Sequence, residues 1–127
     1  MIILSYINIK KGGGGMETVI KIFKALSDET RLRIYLLLLQ GELCVCELVN
    51  ILNMEQSRIS HSIRILKEAG LVDNRREGKW IIYIVNPETE NNRIIQGFKN
   101  ELELPEQDLK NINKCRKEKI REKFKYN

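Results

Sequence analysis

The sequence holds one histidine, two prolines and three cysteines in 127 residues. A single histidine with no acidic partner near it is a poor basis for acid–base or nucleophilic catalysis. No catalytic triad, metal-hydrolase motif or phosphate-cradling loop accompanies it. The chain therefore reads as a non-enzyme. An odd number of cysteines, two of them separated by one residue, does not suit a secreted disulfide framework. A Cys-x-Cys disulfide would close a tight, strained ring. Reduced thiols in a cytoplasmic protein suit the pattern better. The longest apolar run, Ile34 to Leu39, is far short of the ~20 residues a bilayer span needs. It reads as buried helix, and no membrane partner is expected. Residues 2–9 are mildly apolar, but no basic stretch precedes them and no small-residue cleavage site follows, so they do not resemble a signal peptide.

What is present is one domain's worth of ordinary globular composition, 31% charged and 43% hydrophobic. The net charge of +5 has an address. Between Lys114 and Lys125 seven basic residues stand against Glu118 and Glu122, and the rest of the chain is balanced. A nucleic-acid footprint in the body must therefore be argued from local placement.

Three regions are expected. Residues 1–15 differ from the rest: Lys10-Lys11 is followed by four glycines and Met16, which reads as a translated ribosome-binding site ahead of a start at Met16, or as a flexible arm. No order is expected there. Residues 16–104 form the main domain, and 105–127 a basic helix or tail. Val19, Ile20, Phe23 and Leu26 recur at helical spacing. Ser27 or Asp28 can cap a second helix ending at Gly41. Glu42-Leu43 reads as a connection, 45–52 as a third helix stopped at Asn53, and 56–69 as a fourth stopped at Gly70, with Ile59, Ile63 and Leu66 inward. Two β-rich runs, 71–76 and 79–85, flank Glu77-Gly78 as a hairpin. One helix is expected over 88–104, with Ile94, Ile95, Phe98 and Leu102 as its stripe, and one over 106–125, with Leu109, Ile112 and Phe124 inward.

Two helices joined by a turn and followed by a hairpin make a winged helix-turn-helix: mainly α, with a small β-hairpin, and dimeric if it reads DNA. The second helix of the pair enters the major groove. Opposite its core face lie Ser57, Ser60, His61 and Arg64, with Gln56 and Arg58 at its start. These side chains can bond base edges or phosphates of operator DNA. Arg75, Arg76 and Lys79 at the hairpin can reach phosphate. Each of these is also an ordinary surface residue in isolation; the arrangement carries the signal.

Four segments in order resemble the arsenical-resistance repressor family (ArsR/SmtB): Ala25-Leu26-Ser27-Asp28-Glu29-Thr30-Arg31-Leu32-Arg33-Ile34, Glu42-Leu43-Cys44-Val45-Cys46-Glu47-Leu48, Gln56 to Val72, and Arg76-Glu77-Gly78-Lys79-Trp80. The resemblance covers about residues 17–87. It implies a homodimer built from the first helix and the helix after the wing, and an operator near the regulated promoter.

The Cys44-Val45-Cys46 pair suits a soft ion. Residues two apart point to nearly opposite sides of a helix, so both can face one ion only if Cys44 sits at or before the helix start, or the first turn distorts. Helix starts also favour thiolates. The plain alternative is two small buried hydrophobes. The resemblance implies an effector, As(III) or Sb(III), with Cd(II) and Pb(II) open, and no permanently bound cofactor. By the same resemblance, cadmium/lead sensors add cysteines near the N-terminus, and this chain has none before Cys44. Some relatives carry a third cysteine where Val49 stands here. Cys115, a small thiol, or no third ligand remain open. The zinc- and nickel-sensing branch uses clustered His, Asp and Glu on its last helices, and residues 88–127 contain no histidine. A thiol-redox or persulfide repressor using Cys44 or Cys46 with Cys115 is the alternative of the same fold, and a metal-buffering protein the alternative of another class.

Overall fold

The computed structural model describes residues 15–123, so the expectations for residues 1–14 and for Phe124 lie outside the described residues. The first helix, α1 (Gly15–Leu26), buries Ala25 and Leu26. Of its expected stripe, Ile20 and Phe23 instead face outward, 44% and 47% exposed, beside Met16. Asp28 caps α2 (Glu29–Leu39), its carboxylate accepting from the Arg31 amide at 3.0 Å. Ile34, Tyr35 and Leu37 of α2 are fully buried and form the centre of the core.

The Glu42-Leu43 segment is not a plain connection. Leu43–Cys44 forms strand β1, which pairs antiparallel with the second wing strand, Leu43 opposite Tyr83 and Cys44 opposite Ile82. Both β1 residues are buried, and the wing strand has a free edge to offer them. The expected two-stranded hairpin is thus a three-stranded sheet in the order β1-β3-β2. Helix α3 (Val45–Leu52) follows directly and ends at Asn53, which takes the left-handed conformation at φ 53°. Helix α4 (Gln56–Glu68) buries Ile59, Ser62, Ile63 and Leu66. Strands β2 (Val72–Glu77) and β3 (Trp80–Val85) pair from Val72–Val85 to Glu77–Trp80, so the turn is Gly78-Lys79 rather than Glu77-Gly78. Gly78 supplies the positive φ of 62° this two-residue turn requires.

The expected single helix over 88–104 is two. Asn86 caps α5 (Pro87–Glu90), and Asn92 caps α6 (Arg93–Glu101), accepting from the Ile94 amide at 2.9 Å. Two side-chain caps six residues apart start the helix twice. The last expected helix also divides, into α7 (Glu106–Glu118) and α8 (Ile120–Lys123), at Lys119 with φ 52°. Its inward stripe is Asp108, Ile112 and Cys115, while Leu109 faces out. Asp108 is buried because Arg33 meets it with two bonds of 2.8 and 2.7 Å. Asn111 donates to the Ile51 carbonyl at 2.8 Å and Arg116 to that of Gln40 at 3.1 Å, which pins α7 to α3 and to the end of α2. Gly41 leaves room for that arginine, since a Cβ there would lie 3.0 Å from its Nη2. Among the described residues no helix is long and apolar enough to cross a membrane.

Removing one partner of a buried ion pair strands the other. Asp108→Ala is expected to lower stability by about 2–3 kcal/mol, less than a fully buried pair because Arg33 keeps some water. A urea midpoint unchanged from wild type would contradict this.

Candidate functional site: a reading helix, a wing and a thiol pair

The polar face of α4 is free of the core. Gln56, Ser57, Arg58, Ser60, His61 and Arg64 are all exposed, while Ile59, Ile63 and Leu66 hold the opposite face to α2 and α3. The 3.6-residue period makes this separation. Arg64 donates to His61 Nδ1 at 2.9 Å, which joins two candidate DNA contacts in one unit. Arg58 is drawn back to Thr30 Oγ1 at 3.1 Å, bracing the start of α4 against α2. On the wing, Arg76 and Lys79 stand at the exposed tip. Arg75 is engaged: both Glu42 oxygens accept from it, at 2.5 and 2.6 Å, and Glu77 accepts at 3.2 Å. That pairing holds the Glu42 carboxyl below its usual range. A phosphate would have to compete with it for Arg75.

The thiols sit where the chain passes from strand to helix. Cys44 has extended backbone, φ −92° and ψ 168°, and is the N-cap of α3; Cys46 lies in its first turn. The break in the helix before Val45 removes the 200° separation that i and i+2 would have within one. The interaction between the two neighbouring thiols pushes Cys46 down toward thiolate and Cys44 up, and burial also holds Cys44 protonated. The Glu47 amide donates to the Cys44 sulfur, and the Glu47 carboxylate accepts from the Cys44 amide at 2.9 Å. This is a capping box with cysteine in the place of serine. The same Glu47 oxygen accepts from Arg121 Nε and Nη2 at 3.0 and 2.6 Å. The C-terminal segment is thereby tied to the thiol-bearing turn.

Cys115 is fully buried on α7, which packs against α3, and burial pushes its thiol up to about 11. It is not a solvated tail thiol. Among the described residues no three His, Cys, Asp or Glu side chains are gathered as a metal site, so the three thiols are not a ready-made set. Cys44 and Cys46 open instead onto a groove of about 340 Å³. Gln56 and Ser60 of α4 line it, as do Lys79, Trp80, Ile81 and Tyr83 of the wing. One cleft therefore joins the thiol pair, the polar face of α4 and the wing.

Glu47 and Arg121 were not singled out from the sequence. The spacing Cys44-x-x-Glu47 carries the capping-box pattern once cysteine is allowed as a cap. Arg121 had no local signal, being one of seven basic residues in a run.

Comparison with known proteins places this arrangement. Residues 28–74, from the cap of α2 into the wing, match the family described as bacterial regulatory protein, arsR family. The chain is 41% identical over 87 residues to a cadmium resistance transcriptional regulatory protein CadC homolog from Staphylococcus aureus, covering 68% of this chain and 72% of that one. It is 49% identical over 69 residues to the arsenical resistance operon repressor of Escherichia coli K12, covering 54% of this chain and 59% of that one. A solution structure from Mycobacterium bovis, a homodimeric winged helix-turn-helix DNA-binding domain of a possible ArsR-family regulator, superposes with a TM-score of 0.61 at 32% identity. It covers 68% of this chain and 79% of that one. The chain belongs to the ArsR family of winged helix-turn-helix DNA-binding transcriptional regulators, and is not an enzyme.

Proposed function

We propose that the protein is a homodimeric repressor that leaves its operator when As(III) or Sb(III) binds Cys44 and Cys46. The observation that carries this is the position of Cys44. It is paired into the wing sheet opposite Ile82, and its side chain caps the helix that braces α4. An ion that draws Cys44 and Cys46 together pulls on both DNA-facing elements at once. A ligand releases DNA only to the extent that it prefers the DNA-free shape. The E. coli relative supports the arsenic reading by its name, and the S. aureus relative supports Cd(II) as a second one by its own. A titration of protein on its promoter fragment with arsenite, antimonite, Cd(II) and Pb(II) in turn decides among them; no release by any would defeat the proposal.

On the DNA, α4 lies in the major groove of each half-site, with the two about one helical turn, or ~34–36 Å, apart. Gln56, Ser57, Ser60, His61 and Arg64 face base edges and nearby phosphate, with Arg58 at the start of the helix. Arg76 and Lys79, and Arg75 when freed from Glu42, face phosphate. Arg64→Ala or Ser60→Ala is expected to cost roughly 1–3 kcal/mol and relax sequence preference. Arg76→Ala is expected to weaken all sequences alike and to flatten the salt slope by about one unit or less. Intact affinity in both reading-helix variants would mean that another helix reads the DNA.

A further inference from the structure

The valence of arsenic leaves one position that the thiol pair does not fill. As(III) forms three bonds, and Cys44 and Cys46 supply two. Cys115 is fully buried behind α3 and does not line the groove onto which the pair opens. A third hydroxide would fill little of that groove's 340 Å³, since a water occupies about 30 Å³ of liquid volume. The walls are of two kinds. Trp80, Ile81 and Tyr83 offer apolar and aromatic surface; Gln56, Ser60 and Lys79 offer hydrogen-bonding groups and one cation. That combination fits a short organic body ending in a carboxylate.

We infer that the groove binds a low-molecular-weight thiol bearing a carboxylate, as the third ligand of arsenic held by Cys44 and Cys46. The inference rests on the reading of that pair as the arsenic sensor. The chemistry balances without an oxidant or reductant. Arsenous acid condenses with two cysteine thiols and the small thiol: three As–O bonds break, three As–S bonds form, three waters leave, and arsenic stays trivalent. The carboxylate meets Lys79 and the Gln56 amide, and the carbon body lies against Trp80 and Tyr83. Gln56, Ser60 and Lys79 are also on the surface assigned to DNA. The bound thiol therefore occupies DNA-facing groups and sets a negative charge where phosphate would come.

The test uses the full chain without DNA, arsenite, and either N-acetylcysteine or the cationic thiol 2-aminoethanethiol, read by native mass spectrometry. The expected species carries one arsenic and one N-acetylcysteine per protomer. Uptake of 2-aminoethanethiol is expected to be about fivefold lower, the effect of one exposed ion pair. Lys79→Glu reverses that preference, and Cys115→Ser leaves the N-acetylcysteine adduct intact. Equal uptake of both thiols overturns the inference. So does an arsenic adduct without added thiol that disappears in Cys115→Ser, since Cys115 is then the third ligand while the sensor reading stands. Arsenic uptake that persists in Cys44→Ser/Cys46→Ser defeats the sensor reading itself, and this inference with it.

Discussion

Replacing Cys44 and Cys46 together by serine is expected to leave the protein on its operator at arsenite concentrations that clear the wild type. Moving occupancy from nearly full to nearly empty requires an ion preference of about 10⁴-fold between the two shapes, roughly 5.5 kcal/mol. Structural thiolate sites are worth ~10 kcal/mol or more, so two or three metal–sulfur bonds suffice. Serine is close to cysteine in size but a poor ligand for a soft ion. It is also a good N-cap, so at position 44 it can keep the box with Glu47. Apo affinity for DNA should therefore be nearly normal, and each single substitution should abolish the response. Gel-shift or anisotropy titrations with arsenite measure this directly. Cys115→Ser separates two possibilities: complete loss of response makes Cys115 a ligand from behind α3, and a small change leaves the pair as the sensor. Release of DNA by arsenite in the double variant would remove the thiol pair from the mechanism.

Phe23→Glu is expected to break the dimer and with it specific DNA binding. Met16, Ile20 and Phe23 on α1 and Ile94 on α6 are exposed apolar side chains. They adjoin an apolar cleft between α1 and α6 lined by Val19, Ile22, Phe23, Ile94 and Ile95. This is the proposed seat of the second copy. A short reading helix covers too few base pairs alone. Losing one half-site should move affinity toward the non-specific level, a fall of about 10³-fold. A charge in each of two facing copies also meets its twin, because a two-fold interface apposes the same patch. Sedimentation of the free protein should shift from dimer to monomer, with far-UV circular dichroism unchanged. A dimer that persists with operator affinity intact would place the interface elsewhere.

Much of the fold was legible because its signals are local. The 3.6-residue period of α4 set Ile59, Ile63 and Leu66 inward and left the opposite face polar, which the structure repeats. The caps at Asp28 and Asn53 act where side-chain chemistry says they should. The split of the helix over 88–104 was a local signal, the second cap at Asn92, whereas at Leu43-Cys44 and Leu109 the deciding partner lies far along the chain. Leu43-Cys44 is too short to read as a strand, and becomes one because β3 has an edge to fill. Leu109 has the apolar side chain expected inward, yet Asp108 takes that place because Arg33, 75 residues away in sequence, neutralises it.

The same division applies to the candidate site. Sequence alone determined the helix-turn-helix, the polar outer face of α4 and the softness of the Cys44/Cys46 pair, all properties of neighbouring residues and their period. Tertiary structure decided what the pair is connected to. It paired Cys44 with Ile82 of the wing, brought Arg121 onto Glu47, buried Cys115, and opened the groove between the thiols, α4 and Trp80. These contacts depend on where loops return the chain, and residue type and spacing along one segment do not encode that distance.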